Sequence, residues 1–244
     1  MTDKHDIIWI ESTDSTNDAV RRQVDDMDNL SVLAAECQTS GRGQKGNSWY
    51  SSYGENLTFS ILMKAEVSAV RQFIISQISA LAVVSLLKNH NIEASVKWPN
   101  DIYVSNRKIC GILIENTLRG AMIRHSIIGI GLNVNQEHFT PDIPRPTSMK
   151  MMAKKDFDPH KLLEEFVSIF KKYASRLSSE EGEICEEYHG LLWRKDEIHQ
   201  FHDNKEDHMF YGRIKGVNSS GCLLIESEEG GLKQFAFKEI SYII

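Results

Sequence analysis

The sequence is poor in the residues that build stapled or metal-laced miniature folds. Its four cysteines, Cys37, Cys110, Cys185 and Cys222, lie far apart and form no CxxC pair. That excludes a disulfide framework and a zinc ribbon, and it points to reduced thiols in a cytoplasm. Only 5 prolines and 15 glycines occur in 244 residues, too few for collagen-like or low-complexity chains. Positive charge is scarce as well. The 28 Lys and Arg are outnumbered by 34 Asp and Glu, for a net charge of -6, whereas a chain that grips phosphate backbones is usually basic. No apolar run reaches the roughly 20 residues of a membrane span. The longest, Ile74–Leu87, is interrupted by Ser76, Gln77, Ser79 and Ser85, and the N-terminal segment has no signal-like apolar stretch. A GxSxG elbow and an HExxH motif are absent too.

What is present is an ordinary folding composition, 41% hydrophobic and 25% charged, enough for one large domain or one domain and a small second one. Short β-branched runs at Ile7–Ile10, Val32–Glu36, Leu57–Met63, Ser95–Lys97, Ile102–Val104, Ile109–Glu115 and Met122–Val134 read as strands. Ser15, with Asp18 three residues on, has the pattern of a capping box. Helical spacing of apolar residues predicts a long core helix from Val67 to about His90 and a second one opening at Asp158-Pro159. Beyond Trp193 the chain turns to charged loops and short strands, Phe210–Val217, Cys222–Glu226 and Gln234–Phe237. We expect a ligand-handling domain over 1–195 and a small β domain over 196–244, with the boundary near Trp193–Glu197.

Three clusters could carry chemistry. The first, Gln38-Thr39-Ser40-Gly41-Arg42-Gly43-Gln44-Lys45-Gly46, contains a GxGxxG pattern after a strand. A dinucleotide fingerprint should open a helix, and a phosphate-binding P-loop should end in Lys-Ser/Thr; this segment does neither, running on into Asn47-Ser48-Trp49. What remains is a glycine-rich loop able to bring backbone N–H groups, Arg42 and Lys45 onto an anion, or else a solvated hairpin. The second cluster is Lys97-Trp98-Pro99-Asn100-Asp101, followed by Lys108-Ile109-Cys110-Gly111. Strand alternation can aim its two lysines and its aspartate into one cleft, although an exposed hairpin fits equally well. The third is Gly129-Ile130-Gly131-Leu132-Asn133, where two glycines inside a β-branched strand mark either a bulge or the close approach of another group. His199 and His202 lack the nearby partners of a metal ligand set.

In this order, Ser15-Thr16-Asn17, the Gly41–Gly46 loop with Trp49, Lys97–Asp101, Lys108–Gly111 and Gly129–Asn133 resemble the biotin protein ligases, the biotin–[acetyl-CoA-carboxylase] ligases. The motifs extend over roughly Ile8 to Asn135. The resemblance implies an α+β fold: a mixed or antiparallel sheet with helices packed on it, as in a class II synthetase-like ligase core, plus a small C-terminal SH3-like β-barrel. It implies ATP and biotin as substrates with Mg²⁺, activation of biotin as biotinyl-5′-AMP, and transfer to a lysine of a biotin carboxyl carrier protein. Lys108, Arg42 and Asp101 take the catalytic roles. Biotin falls to Ser15, Thr16, Asn17, Gln38, Gly41, Arg42, Gly43, Gln44, Lys108, Gly111 and Gly129. ATP and the adenylate fall to Arg42, Lys45, Trp49, Lys97, Asn100, Lys108 and Asn133. Metal ligands are left open, and so is a homodimer.

One departure matters. The family's loop is usually richer in arginine, and here Gln44 and Asn47 stand where basic side chains are expected. A looser hold on the adenylate follows. A lipoate or octanoate ligase is the nearest rival, but its RRxxGGG loop is missing. A non-catalytic biotin sensor or repressor is the other. With a first strand from about Ile7 and an acidic balance, neither a nucleic acid nor a membrane is expected as a partner.

Overall fold

The computed structural model describes residues 7–44, 46–140, 143–228 and 230–243. Seven strands, β1 (Ile7–Thr13), β2 (Val32–Gln38), β3 (Leu57–Met63), β4 (Ser95–Lys97), β5 (Asp101–Val104), β6 (Arg107–Arg119) and β7 (Met122–Leu132), form one sheet in the order β1-β2-β3-β7-β6-β5-β4. Only β1 and β2 run parallel, which requires a crossover, and α1 (Thr16–Arg22) supplies it. All other neighbours are antiparallel.

One face of this sheet is covered by α2 (Phe73–Asn89), α4 (Pro159–Arg176) and α5 (Glu181–Gly190); the short α3 (Met149–Ala153) follows the loop after β7. Helix α2 is apolar all round because it packs against α4, α5 and the strands β4, β5 and β6 at once. Its sequence, with the turn before it, is long and apolar enough to cross a membrane, yet 67% of that stretch is buried inside the protein. Helix α4 is amphipathic, with Leu162, Leu163, Phe166, Val167 and Phe170 buried. The Asp158 carboxylate accepts hydrogen bonds from the backbone N–H of His160 and Lys161, at 3.0 and 3.3 Å, so the expected cap is present.

Two local expectations need correction. The helix predicted from Val67 begins only at Phe73, after a single 3₁₀ turn over Ala69–Arg71. Backbone bonds to the β6–β7 hairpin, Ile123 N–H to Val67 O and Ala69 N–H to Ala121 O, hold residues 67–69 out of helical geometry. Ser15 does stand at the N-cap of α1, but its side chain makes no capping bond. The Asp18 carboxylate that would complete the box is engaged by Arg21 and Arg42 instead.

The C-terminal segment forms a second, wholly antiparallel sheet of β8 (Ile198–Asp203), β9 (His208–Val217), β10 (Leu223–Ser227), β11 (Leu232–Phe235) and β12 (Ile240–Tyr242), in the order β11-β10-β9-β8-β12. Its apolar side, with Phe201, Phe210, Ile214, Leu223, Ile225 and Phe235, is continuous with the main core. Polar ties also join this second sheet to the β4–β5 turn and to α5. Trp98 Nε1 donates to Gly221 O at 3.0 Å, and the Val217 N–H donates to His189 Nε2 at 3.1 Å.

Candidate active site

Alternation along β6 and β7 sends Cys110, Ile112, Ile128 and Ile130 into the helix-covered core and leaves Gly111, Leu113, Gly129 and Gly131 on the opposite face. On that face lies a cavity of about 620 Å³, walled by α1, the glycine-rich loop, the β4–β5 turn and the edge of the second sheet. The glycines are what allow this. A Cβ on Gly129 would stand 2.3 Å from Asn17 Oδ1, and one on Gly131 would stand 2.3 Å from the Trp49 ring. At Gly111 it would meet Trp49 at 3.1 Å and the Lys108 Cε at 3.4 Å. The glycine pattern therefore marks close approach of side chains from α1 and the loop.

One end of the cavity is polar but uncharged. Ser15, Thr16 and Asn17 are buried there at the start of α1. The Thr16 N–H donates to Gln38 Oε1 at 2.8 Å, and Ser60 Oγ contacts both Thr16 Oγ1 (2.7 Å) and Asn17 Oδ1 (2.6 Å). Asn17 Nδ2 donates to Glu115 Oε2 at 2.7 Å.

The other end is cationic. Lys108 Nζ lies 2.7 Å from Asp101 Oδ1 and over the Trp49 ring at 5.7 Å. Lys97 Nζ sits between the rings of Tyr103 and Tyr242, 5.1 and 5.0 Å from their centroids. Burial pushes the Lys97 pKa down, and the neighbouring Lys108 adds to the effect against the pull of Asp101. Burial likewise pushes the Tyr103 hydroxyl up, to about 12. Arg42 of the glycine-rich loop is anchored on the α1 side, paired with Glu115 at 3.0 Å and Asp18 at 2.9 Å. Burial raises the Glu115 pKa, but the Asn17 hydrogen bond and the Arg42 and Arg21 charges override it and leave a net lowering. Among the described residues that line the cavity, three buried side-chain atoms have no hydrogen-bond partner: Trp49 Nε1, Gln44 Oε1 and Tyr242 Oη. Such atoms are rare in a satisfied interior, and at a cavity wall they are available to an incoming group.

Of the residues singled out from sequence, the cavity wall brings together Arg42, Lys108 and Asp101; Ser15, Thr16, Asn17 and Gln38; Gly43, Gln44, Gly111 and Gly129; and Trp49, Lys97 and Asn100. Gly41 does not line it. Gly41 packs beneath the Trp49 carbonyl, where a Cβ would come within 2.3 Å. Asn133 is buried away from the cavity, and its Nδ2 donates to Thr147 O at 2.9 Å. Lys45 lies outside the described residues. His199 and His202 face Glu197 and Asp207, and the nearby group Asp203, Glu206 and His208 is a turn in which the Asp203 carboxylate accepts the N–H groups of Lys205 and Glu206.

Trp98 and Gly131 lay within the clusters singled out from sequence but were given no ligand role, and the contributions of the C-terminal segment, Asn204, Phe237, Lys238 and Tyr242, were missed. Gly131 was within reach, since it shares a strand face with Gly129. Nothing local announces that Tyr242 meets Lys97.

Fold and cavity together define an α+β protein whose sheet face carries a cavity lined by neutral polar residues from α1 and β2 and by the cationic side chains of Arg42, Lys97 and Lys108. The chain belongs to the Biotin/lipoate A/B protein ligase family, whose sequence profile matches residues 9–133. The bifunctional ligase/repressor BirA of Bacillus spizizenii is 28% identical over 209 residues, covering 82% of this chain and 62% of that protein. Biotin–protein ligase 2 of Arabidopsis thaliana is 30% identical over 233 residues, covering 89% and 68%. Among solved structures, the biotin protein ligase from Aquifex aeolicus in complex with biotin and ATP superposes with a TM-score of 0.80 at 26% identity, covering 98% of each chain. The chain thus spans only 62% of the length of the Bacillus relative.

Proposed function

We propose that this protein is an ATP-dependent ligase that activates biotin as biotinyl-5′-AMP and transfers it to a lysine of a biotin carboxyl carrier protein. The observation that carries this reading is the cavity's polarity. Ser15, Thr16, Asn17 and Gln38 offer a neutral hydrogen-bonding end suited to a ureido ring, and Arg42 and Lys108 offer charge for a carboxylate meeting a phosphate. The likeness to a ligase solved with biotin and ATP supports it.

In the first step a carboxylate oxygen of biotin attacks the α-phosphorus of ATP and pyrophosphate leaves. Two anions must meet, so cationic groups that stabilise the developing charge are the largest expected contribution. Arg42 grips oxygens with a planar fork and Lys108 supplies a compact ammonium. Magnesium enters with the triphosphate as part of the nucleotide substrate. Among the described residues lining the cavity, Asp101 is the one carboxylate, and it is already paired with Lys108. In the second step the neutral amine of the carrier lysine attacks the acyl carbon and AMP leaves; Asp101 orients that amine and takes its proton. Closure of the glycine-rich loop over the cavity keeps water from the mixed anhydride.

The second sheet is assigned to the SH3-like class, and the domains to 1–195 and 196–244. The turn Trp193–Glu197 joins the two sheets, and the shared core makes the smaller one a docked wall of the site. A cytoplasmic location fits the free cysteines. Calorimetric titration with biotin and separately with lipoate tests the substrate: saturable binding of biotin alone supports the reading, and binding of lipoate alone overturns it.

A further inference from the structure

Glu115 was not singled out by any motif and does not itself line the cavity, yet it holds two residues that do, Asn17 and Arg42. It projects from β6 on the same face as Gly111 and Leu113, with its side chain 29% exposed. One oxygen, Oε2, accepts from Asn17 Nδ2 at 2.7 Å and from Arg42 at 3.0 Å, while Oε1 accepts from Arg42 at 3.2 Å. Arg21 of α1 also reaches Oε2, at 2.8 Å. Asn17 in turn holds Ser60 and lies against the bare backbone of Gly129.

Arg42 and Asn17 belong to motifs far apart in sequence, and a single carboxylate joins them. Arg42 has five N–H donors. Its bonds to Glu115 and Asp18 occupy three, which fixes the guanidinium plane and leaves its remaining edge toward the cavity it lines. An amide like that of Asn17 has two orientations, and donation to Glu115 fixes the one in which Oδ1 meets Ser60.

Resting on the biotin-ligase reading, we infer that Glu115 is a positioning residue for that reaction: by holding Arg42 and Asn17 from one carboxylate, it couples biotin's ureido end to the cationic grip on its carboxylate. Binding at one end then strengthens binding at the other through a shared, fixed partner. Asp18 assists on the Arg42 side only, because the bonds of its carboxylate run to Arg42 and Arg21.

Glu115→Gln is nearly isosteric and tests the coupling. Its amide oxygen can still accept from Asn17, but its N–H groups then confront the guanidinium of Arg42, donor against donor. Biotin affinity is measured by calorimetry on the full chain for wild type, Glu115→Gln, Arg42→Ala and the double variant, with melting temperatures alongside. The expected result is biotin binding about tenfold weaker in Glu115→Gln, shrinking to less than about threefold when Arg42 is already absent, since the two residues act as a unit. Unchanged affinity in Glu115→Gln, or an equal loss with and without Arg42, overturns the inference. A wild type that does not bind biotin at all refutes the substrate assignment instead, and the two failures are told apart by that first titration.

Discussion

The geometry of Gly131 makes a quantitative demand on the site. An added Cβ would stand 2.3 Å from Trp49 Cε2 and 2.6 Å from Cζ2 and Nε1, so in Gly131→Ala the indole must retreat by about 1.1 Å to reach ordinary contact distance. The sheet cannot yield, because Gly131 is paired on both sides, with Thr58 and with Gly111. The loop bearing Trp49 is partly exposed and can move as a unit. Overpacking costs about 1–3 kcal/mol, and a mobile loop places this variant at the low end. That corresponds to a melting temperature lower by roughly 2–4 °C. Function should suffer far more, because Trp49 also touches Lys108, and a misplacement of about 1 Å at a reacting site costs on the order of 100-fold. We therefore expect kcat/KM for biotin-dependent pyrophosphate release to fall about 100-fold while the fold persists. Gly182→Ala is the matched control. Nothing lies within 4 Å of its added Cβ in α5, so activity should be unchanged and the helix slightly more stable. Normal turnover by Gly131→Ala would refute the close approach of Trp49 as a working part of the site.

Other perturbations separate the roles of neighbouring groups. Lys108→Ala should reduce adenylate formation by at least about 100-fold, read as biotinyl-AMP in a quenched single turnover, with a native circular dichroism spectrum. Gln44→Arg supplies the charge whose absence marks this loop, and it should slow dissociation of the adenylate about tenfold; equal release rates contradict the weak-hold reading. Trp98→Phe deletes the bond to Gly221 O and should lower stability by about 1 kcal/mol, seen in urea unfolding. The Glu115 pKa is held below its ordinary value by Asn17, Arg42 and Arg21. Its ionised form therefore adds stability that is present above the ordinary glutamate pKa and lost as pH falls below it. Glu115→Gln should flatten the melting temperature against pH in that acidic range, and an unchanged slope counts against the linkage.

Much of the fold was legible because it rests on local periodicity. The strands of the main sheet appear at or near their predicted positions, extended by a few residues where ladder bonds carry β1, β2 and β6 onward. Helix α4 was announced by Asp158-Pro159 and its apolar stripe. Elements without such punctuation were missed. The α5 segment, Glu181–Gly190, is acidic with only Ile184 and Tyr188 buried, and β12 is three residues long and is completed by its partner β8. The start of α2 moved because hairpin bonds from outside the segment outweigh its helical spacing. At the site, cavity-lining residues that belong to short motifs were read from their chemistry. Glu115 and Tyr242 were not, since each matters through a partner 73 or more residues distant, as Arg42 is from Glu115, and no single-sequence pattern reports that pairing.

The central claim is that this cavity joins biotin to a nucleotide. Mixing the purified protein with ATP and following pyrophosphate tests it directly. The account predicts a burst close to one equivalent per protein on adding biotin, absent without biotin and abolished in Lys108→Ala. Release that is independent of biotin, or that lipoate elicits and biotin does not, would contradict it.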